Sequence, residues 1–359
     1  MTANLKQTPL YEWHKAQGAK TADFGGWDMP IEYSGVVLEH EAVRNEVGIF
    51  DVSHMGKLEI RGTGAVTWLN TILTNDLENL ADGKAQYSML LNGFGGVIDD
   101  LLVYRFTSEL VWIVPNASNA SDVFAVLETF KPQEITLKNH HDNMGIIAVQ
   151  GPKSVDAVAS IGLPEISDYM SAVLVNLKGK EVVFCRSGYT GETGFEIIAP
   201  NGILLDVWNE LISFGALPIG LAARDTLRLE MGYALHGHEI TQEINPVEAG
   251  LSWAVAFDKP KFQGRENVLA VKAAGAKRKR VALSALERGI PRADMNVLAG
   301  EEVVGVTTSG TFSPTLKNGI ALALVDPKIK IGDQLELDVR GRRLKVEVVK
   351  LPFVQPKTN

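Results

Sequence analysis

The chain has 359 residues, of which 45% are hydrophobic and 22% charged, enough to bury a sizeable core and fill two or three domains. Its formal net charge is −8 and its 35 Lys and Arg are dispersed without a basic block, which argues against nucleic acid as a partner. The N-terminal stretch has no apolar run of signal-peptide length and no later segment approaches the ~20 apolar residues of a membrane span, while one cysteine, Cys185, and seven scattered histidines offer no framework for a disulfide or a structural zinc; the expectation is a cytoplasmic protein with no membrane contact and no metal.

Apolar residues at helical spacing from Val36 to Val47, closed by Gly48, predict a helix, and Gly64 to Leu73 predicts a second. The runs AQYSMLLN, VIDDLLVYRF and LVWIVPN, split by turn residues, predict an antiparallel meander. A helix over Ala120 to Phe130, a strand over Met144 to Gln150 and a helix entered through Gly151-Pro152 and reaching about Ile161 follow. Lys180 to Ala199 reads as strand, glycine-rich loop, strand. Two helices come next, about Gly202 to Phe214 and Ala222 to Tyr233. From Lys277 the pattern changes to short β-type runs. A domain boundary is therefore placed in Ala270 to Arg280, whose small and basic residues suit an exposed connection, followed by a small β-barrel or jelly-roll-like domain.

Period-2 alternation along Val97 to Phe106 puts Val97, Asp99, Leu101, Val103 and Arg105 on one face and Ile98, Asp100, Leu102, Tyr104 and Phe106 on the other. Asp100 is then a carboxylate among apolar and aromatic neighbours, where lost hydration raises its pKa unless a donor or cation is supplied. A polar-ligand site explains it, and so does a sheet-end Asp bonded to the GFGG turn. Asp99, sharing a face with Arg105, is easier to explain structurally. In SGYTGETG, glycines at 188, 191 and 194 would let backbone approach a ligand, with Tyr189 as a stacking surface. Glu196 beyond it could receive two parallel hydrogen bonds from a planar amidine-like edge, or be a solvated residue at a hairpin tip. In LAARDTLRLEMGY, Arg224, Asp225, Arg228 and Glu230 are spaced for intrahelical ion pairs; Arg224 could instead meet a ligand carboxylate or orient Glu196. His236-Gly237-His238 lacks the partners a metal site needs. No G-x-G-x-x-G, G-x-x-x-x-G-K-[ST] or G-x-S-x-G occurs, so dinucleotide, P-loop and α/β-hydrolase chemistry are excluded.

Taken in order, TPLYEWH, DFGGWDMP, AVRNEVGIFDVSHMG, GGVIDDLLVY, AVQGP, SGYTGETGFE, GLAARDTLRLE, INPVEAGLSW and TSGTFSPTL resemble one family across nearly the whole chain, the T protein (aminomethyltransferase) of the glycine cleavage system. The resemblance implies a three-lobed α+β fold, two antiparallel-sheet lobes with helices plus a C-terminal β-barrel, with residues 1–270 forming the folate-binding region and 277–359 the barrel. It implies tetrahydrofolate as co-substrate, no metal, and transfer of the methylene of an aminomethyl group from the dihydrolipoyl arm of the carrier H protein, releasing ammonia. The P protein and dihydrolipoyl dehydrogenase would be functional associates. Asp100 matches the family's reacting carboxylate; Met55, Tyr87, Tyr104, Asn116, Tyr189, Glu196 and Arg224 match positions that line or bind the folate. Ala222, His236 and His238, and a C-terminus PFVQPKTN without tyrosine, depart from the pattern, and are expected to matter at the carrier entrance and folate tail while leaving Asp100, Glu196 and Arg224 untouched. Lys261, Arg265 and the basic run 277–280 are candidates for carrier docking. Rival readings on the same fold are a tetrahydrofolate-dependent O- or S-demethylase and a non-catalytic folate-binding iron-sulfur assembly protein.

Overall fold

Strands Met144–Gln150 and Gly194–Pro200, and the stretch Val182 to Cys185 of strand Lys180–Arg186, are apolar at nearly every position, the pattern of a sheet covered on both faces. In a computed structural model of the protein, which describes residues 5–358, that is what they build. Ile147, Val149, Phe184, Phe195 and Ile197 face helices Ser154–Ser160 and Asn201–Phe214. Their alternate neighbours Ala148, Val183, Cys185 and Ile198 face helices Val36–Asn45 and Leu221–Met231.

These strands belong to an 11-stranded sheet with two halves. One half runs Leu217–Pro218, Gly48–Asp51, Met144–Gln150, Gly194–Pro200, Lys180–Arg186, Ser171–Leu177; the other runs Lys84–Leu91, Val97–Thr107, Leu110–Val114, Leu58–Arg61, Thr136–Asn139. A single pair, Ser171 with Lys84, joins them, so the sheet is two lobes meeting at a seam. Pairing is antiparallel throughout except between Leu217–Pro218 and Gly48–Asp51. The predicted meander is present as the three consecutive strands of the second half. The connection between its first two strands needs glycine: a Cβ on Gly96 would lie 1.8 Å from the Gln242 carbonyl oxygen.

The C-terminal strands, from Lys279–Ala285 to Arg342–Val349, close into a six-stranded barrel. Val281, Leu283 and Ala285 fill its interior with Val297, Leu337 and Val346, whereas Ala282, Ile320 and Leu322 point outward onto Leu229 of helix Leu221–Met231. The connection differs from expectation. Helix Arg265–Ala274 runs into it, because alanines that suit a linker are also the best helix formers, and Arg280 is part of the first barrel strand, donating to the Gly232 carbonyl at 3.1 Å. Among the described residues no helix is long and apolar enough to cross a membrane.

Helix Leu221–Met231 joins barrel and lobes through buried charge. Arg228 forms the intrahelical pair with Asp225 but also reaches Glu239 at 3.0 Å and Ser309 of the barrel at 2.8 Å. Glu230 makes no intrahelical pair. It accepts from Arg44 at 2.7 Å and from barrel residues Ser313 and Thr315 at 2.5 and 3.0 Å, with His40 at 3.3 Å. Burial alone would push Glu230 up, but the His40 hydrogen bond, the His40 charge and Arg44 hold it down at about 2. A carboxylate held below its unfolded value contributes stability above the unfolded pKa and loses it as pH falls through the folded one. Glu230→Ala is expected to cost about 3 kcal/mol at neutral pH in a denaturant titration, because it removes one of the two carboxylates paired with the buried Arg44 and leaves Glu192 as its remaining partner. The gap from wild type should narrow as the pH is lowered from 4.5 towards 2.

Candidate active site

The inner faces of the two sheet lobes meet beneath helices Val36–Asn45 and Leu221–Met231, in the cluster containing Tyr104, Val183, Cys185 and Ala223. Strand alternation delivers two carboxylates here, Asp100 from one lobe and Glu196 from the other. The alternation is not continuous. A bulge at Ile98 sets Leu90 opposite Asp99 but Leu91 opposite Val97, so Ile98 packs with Leu101 and Val103, and Val97 joins the opposite cluster. From Asp100 to Phe106 the predicted faces hold.

Asp100 accepts from the Tyr87 hydroxyl at 2.9 Å and from the Asn116 amide at 2.8 Å. Behind it, Asp99 is fully buried and accepts from the Asn116 backbone at 2.9 Å and the Asn119 amide at 2.7 Å. Arg105, on the predicted face of Asp99, pairs instead with Asp82. Burial raises the pKa of Asp100, and the Tyr87 donor, the charge of His236 and the Asn116 donor oppose it. Asp99 is pushed well up by burial and then by Asp100. Two carboxyl groups on consecutive residues thus sit in low-dielectric surroundings with donors supplied for ionisation and, among the described residues, no paired cation. Tyr87 is stacked at 5.3 Å on Trp253, a tryptophan left 67% exposed.

Glu196 is central in its lobe, paired with Cys185 and Ala148, and is no hairpin-tip residue. Its Oε2 accepts from Ser187 at 2.5 Å and Tyr104 at 3.3 Å. Its Oε1 has no hydrogen bond among the described residues. Arg224 lies over the Tyr189 ring, 4.8 Å to the centroid; Tyr189 also stacks on Tyr233 and donates to the Ala234 carbonyl. One terminal Arg224 nitrogen is buried without a hydrogen-bond partner among the described residues, and burial lowers the Arg224 pKa against the pull of Glu196 and Tyr189. A buried donor left open is costly unless a ligand completes it. Met55 is partly buried against the same cluster.

The glycines of SGYTGETG serve packing rather than ligand approach. A Cβ on Gly188 or Gly194 would fall within 2.0 or 2.3 Å of Gln150, and one on Gly191, at φ +77°, within 2.0 Å of the Met231 sulfur. His236 and His238 point to different carbonyls, Val97 and Thr308. His236 therefore lies by the Asp100 strand, which corrects the expectation that this departure leaves Asp100 untouched. Arg280, placed by composition in an exposed basic run, is half-buried near Tyr87 and Tyr189, with desolvation lowering its pKa. Asn119, Ser187, Trp253 and His236 escaped the sequence reading as site residues. Ser187 and Trp253 carried a signal, in the segments SGYTGETGFE and INPVEAGLSW, and His236 as a departure from the family pattern; Asn119 carried none.

The fold, a two-lobed α+β sheet backed by a closed barrel, holds this constellation of carboxylates, aromatic rings and an open arginine, and comparison with known proteins gives its family. The GCVT N-terminal domain family matches residues 10–259 and the glycine cleavage T-protein C-terminal barrel domain matches residues 278–355. The chain is 47% identical to a protein named aminomethyltransferase from Mycobacterium avium, covering 99% of both, and 48% identical to one from Frankia alni, covering 98% of both. The crystal structure of glycine cleavage system aminomethyltransferase T from Bartonella henselae superposes with a TM-score of 0.94 at 36% identity, covering 99% of each chain. The chain belongs to the aminomethyltransferase family, the T proteins of the glycine cleavage system.

Removing the phenol donor isolates its effect on the carboxylate. Tyr87→Phe is expected to raise the pH at which Asp100 takes up its proton, because a donor favouring the charged form is lost while burial persists. A titration of the 13C-labelled aspartate carboxyls by NMR checks this; an unchanged Asp100 midpoint would show that the phenol does not stabilise the carboxylate.

Proposed function

We propose that this aminomethyltransferase moves the methylene of an aminomethyl group, carried on the dihydrolipoyl arm of an H protein, onto tetrahydrofolate, giving 5,10-methylenetetrahydrofolate, ammonia and the dithiol arm. The observation that carries the reading is the convergence of Asp100, Glu196 and Arg224, from three separate elements, on the neighbourhood of Tyr189. The last two still have hydrogen-bonding capacity without a protein partner.

Each side chain then has work suited to its surroundings. Glu196 accepts from the amino-pyrimidinone edge of the pterin through Oε1, while Ser187 and Tyr104 hold Oε2 and fix the carboxylate's orientation. Tyr189, backed by Tyr233 and Arg224, offers a flat surface to the ring. The open Arg224 nitrogen donates to a carbonyl or carboxylate of the folate. Met55, Tyr87, Tyr104 and Asn116 line the pocket. Asp100 takes or orients a proton at the reacting nitrogens and stabilises the positive charge that develops there, and its raised pKa brings it nearer the range useful for a general base. Holding folate and lipoyl arm together contributes the entropic advantage. Residues 1–270 are assigned to this work, with 277–359 as the barrel that backs it, and the P protein and dihydrolipoyl dehydrogenase complete the functional system.

Ammonia and methylenetetrahydrofolate formation from aminomethylated H protein tests the assignment. Asp100→Asn is expected to lower kcat by about 100- to 10,000-fold while folate binding, followed by protein fluorescence, is retained. Wild-type protein that binds folate but releases no ammonia would rule out the aminomethyl reaction. Wild-type kcat/KM should fall on the acid side as Asp100 takes up its proton, above the ordinary aspartate range.

A further inference from the structure

Asp99 commits both of its carboxylate oxygens to one turn, residues 115–119, which joins strand Leu110–Val114 to helix Ala120–Phe130. Oδ2 accepts from the Asn116 N–H at 2.9 Å; Oδ1 accepts from the Asn116 amide at 2.9 Å and from the Asn119 amide at 2.7 Å. Asn116 is therefore held through main chain and side chain by one buried carboxylate. Asn119 occupies the N-cap of the helix, where an asparagine ordinarily accepts from a first-turn N–H. It makes no such bond. Its amide nitrogen goes to Asp99, and its side-chain oxygen accepts from the Ser118 hydroxyl at 3.2 Å.

The same Asn116 nitrogen lies 2.8 Å from Asp100 Oδ1 and 2.9 Å from the Asp100 carbonyl oxygen. Acceptors surround it, so the amide faces the strand with its nitrogen rather than its oxygen. Its two hydrogens then serve three acceptors, and Asp99 competes with Asp100 for them. Among the described residues Oδ1 of Asp100 has no other side-chain donor, since Tyr87 donates to Oδ2. The Asn119 donor eases the competition: an Asp99 Oδ1 already satisfied draws less on Asn116, and a hydrogen stays with Asp100. Closing the turn does not require this, because the Asn116 N–H already bonds Asp99 and the Asn119 N–H bonds the Asn116 carbonyl at 3.1 Å.

We propose that Asp99 and Asn119 are positioning residues that act on Asp100 through Asn116: Asp99 fixes the amide against the Asp100 strand, and Asn119, by supplying Asp99, leaves an amide hydrogen for Asp100 Oδ1. The inference rests on the proposed role of Asp100 in aminomethyl transfer. A carboxylate held at one oxygen turns easily about its Cβ–Cγ bond, whose torsion is broad. With Tyr87 on Oδ2 and Asn116 on Oδ1, both ends are held and the plane of the group is set. That plane fixes the direction from which Asp100 meets the reacting nitrogens, the kind of alignment on which rate depends steeply.

Two variants and two readouts test it. Asn119→Ser keeps a good N-cap residue and removes the amide that donates to Asp99; Asp99→Asn keeps the shape and sets a third amide against those of Asn116 and Asn119. In either variant, folded with unchanged helix content, kcat for aminomethyl transfer is expected to fall about 10-fold or more, with KM for tetrahydrofolate within about twofold of wild type. The cause is read without substrate. In protein labelled with 15N at asparagine, the Asn116 side-chain signal, identified by its loss in Asn116→Ala, should shift in both variants. Added to Asn116→Ala, Asn119→Ser should cost no further rate, since the residue through which it acts is gone. An unchanged kcat or an unmoved Asn116 signal in folded Asn119→Ser overturns the proposal, as does a loss that adds in full to that of Asn116→Ala. A signal that shifts in protein whose wild type releases no ammonia keeps the positioning and discards the aminomethyl reading instead.

Discussion

The buried carboxylate of Glu230 is the constraint on which the arrangement of the lobes depends. It sits at the end of helix Leu221–Met231 and gathers Arg44 and His40 from helix Val36–Asn45 with Ser313 and Thr315 from the barrel. Backbone N–H groups of Phe353 and Val354 donate to its main-chain carbonyl, so the chain beyond the barrel is tied to the same point. A cluster of this kind is a poor source of net stability compared with apolar packing, since desolvation offsets much of its attraction. What it does is penalise alternatives: any displacement of the barrel deprives a buried carboxylate of its two hydroxyl donors, Ser313 and Thr315. Arg224 is six residues earlier on that helix, so its placement over Tyr189 follows from how the helix is held.

The proposed site uses the same physics in the opposite sense. Around Glu230 a guanidinium, an imidazole and two hydroxyls saturate the carboxylate; around Asp100 only a phenol and an amide touch it, and a second carboxyl lies directly behind. The first arrangement keeps a carboxylate charged and inert. The second leaves one whose proton affinity is raised and therefore usable. Arg224 and Glu196, each with an unused polar atom, are incomplete in a way structural residues seldom are.

Much of this was legible in local pattern. Helix Ala120–Phe130 and strand Met144–Gln150 lie where periodicity placed them, because each has a buried stripe or a doubly buried run that its sequence must display. Asp100 stood out for the same reason, as a charge on an apolar face. The errors came where a residue's role is set by something distant in the chain. The glycines of SGYTGETG suggested a ligand loop, yet they yield to Gln150 and Met231. Alternation failed at Ile98 because a bulge depends on the partner strand. Arg280 looked like part of a solvated basic run until barrel closure turned it inward.

By itself, the sequence determined the element types, the change to a β-rich C-terminal domain, the family and the positions matching the family's reacting carboxylate and binding residues, since all of these are carried by residues close together or by motifs in order. Only the tertiary structure decided which charges neutralise one another and which are left open. Arg44 and Glu230 are 186 positions apart, Thr308 and Glu239 are 69 apart and Tyr104 and Glu196 are 92 apart. No local periodicity encodes such pairs, and the energies of burial that tune them exist only once the lobes have closed.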